Sequence, residues 1–257
     1  MNTPVIDIKN LGTSFNDGET WVHRNLSLEI FSNRIVTIIG DSGCGKTTLL
    51  RVLLTLETFQ EGVVQLLGHN ITTENSGEYQ LTMRKVGMMF QQGALFNSMT
   101  VLENVMFPLQ EYTKFSFAEM RELACLKLMM TGLNTAAYNV NVSTISPGMA
   151  KRVALARALI LDPKVLFLDE PTAGLDPNSA DDFDELIKKL QQEFSLTIVM
   201  ITHDLDSIYK ITDEIVYLGE KKVLIHGSLQ EVTNSNIPSV QHYFSGARAR
   251  QHIAPSH

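Results

Sequence analysis

The sequence predicts an α/β fold with a parallel sheet at its centre, and three observations predict it. Ile35-Val36-Thr37-Ile38-Ile39 is a short, β-branched apolar run of the kind that forms a strand buried on both faces. It leads straight into Gly40-Asp41-Ser42-Gly43-Cys44-Gly45-Lys46-Thr47, a full match to G-x-x-x-x-G-K-[ST], and Thr48 to Leu54 can continue as a helix. A second apolar run, Val165-Leu166-Phe167-Leu168, ends in Asp169-Glu170, which puts carboxylates at the strand edge where open α/β sheets bind ligands.

The strand–loop–helix context implies a polyphosphate cradle. Gly40, Gly43 and Gly45 let backbone N–H groups turn inward, Asp41, Ser42 and Cys44 complete the loop, and the helix start adds partial positive charge. Lys46 would pair with β- and γ-phosphate oxygens, the Thr47 hydroxyl would ligate Mg²⁺, and Thr48 completes the cradle. A chain with this loop is expected to bind a nucleoside triphosphate.

Length and composition bound the rest. A chain of 257 residues, 44% hydrophobic and 19% charged, can hold one large α/β domain or a core with an inserted subdomain. A net charge of −7 argues against a nucleic-acid partner. No apolar run approaches the roughly 18 residues that suggest a membrane span, and MNTPVIDIKN lacks the pattern of a signal peptide. Two cysteines, Cys44 and Cys125, make no disulfide framework, so a reducing cytosol is expected.

Taken in order, Val5 to Ile8 and Leu26 to Ile30 read as strands of an antiparallel hairpin around the turn-rich Asn16-Asp17-Gly18. Phe15 precedes that turn and by composition alone reads as a core aromatic. Val63 to Gly68 and Val86 to Phe90 read as further strands, the latter ending at Gln91-Gln92-Gly93. From there to about Ala154 no long strand is expected. Ser116-Phe117-Ala118-Glu119 is a capping box ahead of a helical run through Met130, so residues 92–154 read as a helical subdomain inserted in the core. Met88, Met89, Met129 and Met130 read as core filler. A helix from about Met149 to Ile160 leads to the Val165 strand. Leu186, Ile187, Leu190 and Phe194 recur at helical spacing from Phe183, and Leu196 to Ile201 forms a strand ending at Thr202-His203-Asp204. Ile215 to Leu218 and Lys222 to Ile225 flank Gly219-Glu220-Lys221 as a hairpin. Residues 246–257 are expected to form a flexible tail after a domain spanning 1–245.

Asp169 at its strand end can hold Mg²⁺, and Glu170 can polarise a water for in-line attack on a γ-phosphate. With these residues the chain resembles the ATP-binding subunit of ABC transporters over residues 4 to 245. Gln91 matches the Q-loop glutamine, Leu168 to Thr172 the Walker B segment, Ala173-Gly174-Leu175-Asp176 the D-loop, and His203 the switch histidine. The resemblance implies an α/β P-loop NTPase (RecA-like) core, an N-terminal antiparallel β subdomain and the inserted helical subdomain. It implies an ATPase using ATP and Mg²⁺, with Phe15 stacking on adenine and Gln91 reaching Mg²⁺. It also implies a homodimer in which Ser146, the Gly148 N–H and Asp176 face the other copy. The signature departs from the usual LSGGQ, reading Ile145-Ser146-Pro147-Gly148-Met149; Pro147 has no N–H to donate yet suits a helix start.

Gln91-Gln92-Gly93-Ala94-Leu95-Phe96, Phe107-Pro108-Leu109 and Met149 make the chain similar to the ATPases of Mla-type phospholipid transporters. That likeness implies a place on the cytoplasmic face of the inner membrane, beside a permease, an Mce-domain lipid-binding protein and a STAS-domain protein. The alternative is the ATPase of an amino-acid or other small-solute importer. A GTPase would need N-K-x-D, an ABC protein acting on ribosomes or DNA a second cassette or coiled-coil insertion, and none occurs. A non-catalytic nucleotide sensor would most simply lack Glu170 or His203, and both are in place.

Overall fold

A computed structural model describes residues 3–16, 19–71 and 77–245. The tip of the predicted hairpin at Asp17-Gly18 and the expected tail at 246–257 lie outside the described residues. The chain divides into two compact units, one drawing on the described residues up to Met83 and from Thr197 onward, the other Arg84–Leu196.

The first unit opens with β1 (Ile6–Phe15) and β2 (Thr20–Ile30), paired antiparallel from Ile6↔Ile30 to Phe15↔Thr20. Both strands are longer than the apolar runs alone predict, because the ladder continues through Thr13↔His23 and Ser14↔Trp21, where polar and aromatic residues mask the alternation. β3 (Ile35–Gly40) is buried throughout and feeds α1 (Lys46–Leu53). β4 (Glu61–Leu66) pairs antiparallel with β1, and β5 (His69–Asn70) extends the sheet to the order β2-β1-β4-β5. A short helix, α2 (Gly77–Met83), follows.

The second unit holds β6 (Val86–Met89), α3 (Val101–Tyr112), α4 (Phe117–Met130), α5 (Pro147–Ala158), β7 (Val165–Asp169) and α6 (Pro177–Phe194). β6 and β7 run parallel, Val86 opposite Val165 and Met89 opposite Leu168. Reciprocal capping boxes start α3 at Thr100 and Glu103 and α4 at Ser116 and Glu119. Val101, Val105, Leu128, Val153 and Ala156 form the shared core of α3, α4 and α5. Strand β6 packs close to α5: a Cβ on Gly87 would fall 2.4 Å from the carbonyl oxygen of Ala158. One apolar reading, that of the methionines, is corrected. Met129 lies on the open face of α4, 63% exposed, and only Met89 of the four methionines is fully buried. Phe194 is also exposed, with the Lys127 ammonium 5.8 Å from its ring centroid.

The chain then returns to the first unit with β8 (Thr197–Ile201), α7 (Leu205–Ile211), β9 (Glu214–Gly219), β10 (Lys222–Ser228), α8 (Leu229–Thr233) and α9 (Pro238–Phe244). β3 lies between β8 and β9, parallel to both, which buries it on each side. The β9–β10 hairpin turns on Glu220 and Lys221, both at positive φ (48° and 67°), the backbone of a tight primed turn. Among the described residues no helix is long and apolar enough to cross a membrane.

Candidate functional site

In the first unit, β3 ends at Gly40, and the loop to α1 together with the first turn of α1 carries every predicted cradle residue. Gly40, Gly43 and Gly45 all sit at positive φ. A Cβ on Gly40 would fall 2.2 Å from the Leu218 carbonyl oxygen, whereas one on Gly43 would meet nothing within 4 Å, so the loop is braced at its base and open at its crest. The Lys46 ammonium donates to the carbonyls of Gly40 (2.8 Å) and Asp41 (2.9 Å) and approaches the Cys44 Sγ at 3.7 Å. α1 has Gly45 as N-cap, no side-chain cap and no acidic residue in its first turn. Its leading N–H groups therefore fit an anion such as a phosphate. His203 lies two residues beyond Ile201, which pairs with Ile38, so His203 and the loop after Gly40 emerge at one edge of this sheet. Phe15 closes β1 and is 43% exposed, which removes it from the core and suits a stacking role.

One supporting residue carries no motif. His23 on β2 is fully buried, with Thr13 Oγ1 2.6 Å from Nδ1 and the Gly45 carbonyl 3.1 Å from Nε2. The carbonyl can only accept, so Nε2 carries the proton and Nδ1 accepts from the threonine hydroxyl. Burial drives the pKa of His23 down to about 4, against the opposing effect of the Gly45 hydrogen bond. A Cβ on Gly45 would lie 2.4 Å from His23 Nε2, so the imidazole fits only beneath a glycine.

In the second unit, the parallel pairing of Met89 with Leu168 brings Gln91 and Asp169-Glu170 to the same end of two neighbouring strands. Glu170 has φ of 47° and precedes Pro171, a conformation disfavoured for a residue with a side chain and for a residue before proline. Its carbonyl accepts from the Ala173 N–H at 3.2 Å. The buried Lys151 ammonium of α5 donates to the same carbonyl at 3.1 Å and to that of Gln91 at 2.6 Å. Burial lowers the Lys151 pKa, while the Glu170 and Asp169 carboxylates act to raise it. Arg157, further along α5, donates to Gly93 (2.6 Å) and Ala94 (2.8 Å).

The exposed Ser146 caps α5 through the Met149 N–H, Pro147 takes N1, and a Cβ on Gly148 would make only an ordinary contact, 3.9 Å from Leu175 Cδ2. Asp176 caps α6 by accepting from the Ser179 N–H at 3.1 Å, and hydrogen bonds of this kind lower its pKa. No group of three or more His, Cys, Asp or Glu among the described residues could hold a metal by itself. Mg²⁺ binds through one or two protein oxygens together with substrate phosphates and water, and the Thr47 hydroxyl and Asp169 carboxylate are donors of that kind.

The sequence pattern of ABC transporters matches residues 23–173. The chain belongs to that family. This ABC ATPase is 34% identical over 246 residues to the intermembrane phospholipid transport system ATP-binding protein MlaF of Haemophilus influenzae, covering 96% of this chain and 92% of the relative. It is 36% identical over 231 residues to the methionine import ATP-binding protein MetN of Clostridium tetani, covering 89% of this chain and 70% of the relative. Among solved structures, a dimeric ATP-binding cassette in a post-hydrolysis state, bound to ADP and Pi, superposes with a TM-score of 0.78 at 32% identity, covering 87% of this chain and 98% of that one. As an ABC ATPase the chain uses ATP and Mg²⁺ and hydrolyses ATP to ADP and phosphate.

Proposed function

We propose that this chain is the ATPase of a phospholipid transporter, working as a homodimer on the cytoplasmic face of the inner membrane beside a permease, an Mce-domain protein and a STAS-domain protein. The observation that carries this reading is the similarity to MlaF, 34% identical over 96% of this chain. The MetN identity of 36% supports solute import as the second reading. Copurification of the assembled transporter, with mass spectrometry of what it retains, separates the two. Phospholipid bound to the complex is the expected result, and an amino acid or other small solute in its place overturns it.

Within that function the residues take distinct parts. Lys46 neutralises β- and γ-phosphate oxygens, and the helix start of α1 adds unpaired N–H donors. Thr47, Gln91 and Asp169 are each an oxygen donor that would suit Mg²⁺, and the ion would supply positive charge to the phosphates. Glu170 draws the proton from that water, and His203 faces the γ-phosphate. Phe15 stacks on the adenine. Ser146, the Gly148 N–H and Asp176 meet the nucleotide and backbone of the second copy. Glu170→Gln keeps shape and ATP binding but removes the base, so turnover is expected to fall by far more than tenfold, about 1.4 kcal/mol of barrier. A smaller drop in a steady-state phosphate-release assay assigns water activation elsewhere.

A further inference from the structure

Helix α5 begins at the signature loop and reaches the chain beyond β6 and β7 with two cations. Lys151 holds the carbonyls of Gln91 and Glu170, and Arg157 holds those of Gly93 and Ala94. Two of these four carbonyl-bearing residues, Glu170 and Ala94, carry side chains yet have positive φ. Backbone in such a conformation persists where its surroundings over-determine it, and a cation on the carbonyl does so directly. Lys151 is itself only 7% exposed, so its charge depends on these acceptors and on the nearby carboxylates.

We propose that Lys151 is a positioning residue for hydrolysis: its single ammonium ties the main chain of Gln91 and Glu170 to the helix that starts at Ser146. The proposal rests on the roles given above to Gln91 and Glu170. It makes the placement of the water-activating carboxylate, and of the Q-loop amide, a function of where the signature helix stands. Nucleotide affinity has a different source, the phosphate loop and Phe15 of the first unit. Loss of Lys151 should therefore lower kcat and leave ATP binding alone.

The test compares the full-length chain with Lys151→Met, Lys151→Arg and Glu170→Gln, measuring ATPase kcat and the Kd of a fluorescent ATP analogue. Methionine keeps an unbranched stem of similar length and removes the donors; arginine keeps donors and charge. The expected result is a fivefold or greater loss of kcat in Lys151→Met, Kd within threefold of the parent, and recovery of at least a third of the parent kcat in Lys151→Arg. A loss of kcat under fivefold, a Kd change as large as the kcat change, or no recovery with arginine overturns the link. Should Lys151→Met fail to fold, Lys151→Gln, shorter and uncharged, is held to the same kcat and Kd criteria. Glu170→Gln separates the two levels. If it is inactive while Lys151→Met turns over normally, the link alone falls; if it turns over, the reading of the site falls and the link with it.

Discussion

Buried between Thr13 and the Gly45 carbonyl, the His23 imidazole titrates near pH 4 rather than at its ordinary 6.5. Above pH 6.5 the folded and unfolded chains are both neutral at this position, and His23 leaves stability flat. As pH falls from 6.5 towards 4, the unfolded chain takes up a proton that the folded chain refuses, so the free energy of unfolding declines. Linkage puts that loss at about 2 kcal/mol by pH 5. Trp21, two residues away on β2 and the one tryptophan of the chain, supplies the signal. Urea unfolding followed by its fluorescence at pH 8 and pH 5 should show the parent losing about 2 kcal/mol more than a Thr13→Val, His23→Leu double variant. Equal losses would mean that the acid sensitivity comes from other groups.

Among the elements, α5 has the start most open to test. Its N1 N–H has no acceptor within the helix, so Pro147 costs the helix nothing while withholding a donor from the proposed dimer interface. Pro147→Gly restores that donor. A hydrogen bond to a charged group contributes roughly 1.5–3 kcal/mol, offset by roughly 0.5–1 kcal/mol for the freedom of glycine. In a Glu170→Gln background, sedimentation with ATP should show a several-fold gain in dimer; equal or weaker association shows that Ser146 and Gly148 suffice. The elements differ in how far they could be read beforehand. Ser116-x-x-Glu119 announces α4 because both partners of the capping box are side chains three residues apart. The phosphate loop and the Leu168 to Glu170 strand end were legible for the same reason, each being contiguous. Lys151 and His23 were not. Their acceptors are backbone carbonyls 60 and 22 residues away, and a carbonyl has no residue type to recognise. The face of α4 was misjudged at Met129 because an apolar residue type does not say which side of its helix is covered.

For the molecule as a whole, the proposed function requires a face that the permease can push. Phe96 is 40% exposed, its ring set against Phe107 at 4.7 Å, and its N–H bonded to the Oδ1 of the buried Asn104 at 2.8 Å. A side chain so held keeps an apolar ring at the surface beside the Q-loop. Phe96→Asp is expected to abolish copurification with the permease or uncouple transport, with ATP binding by the subunit unchanged. Aggregation or lost nucleotide binding would make Phe96 a structural residue instead. Arg157 lies over this same ring, 5.9 Å from its centroid, and belongs to the helix that packs on β6 at Gly87. At that crossing there is no room for even a methyl group. A linkage with no clearance transmits small displacements without backlash: a shift of α5 by a fraction of an ångström must be followed by the strand beneath it, and a push of that size on the strand is felt at the helix just as promptly.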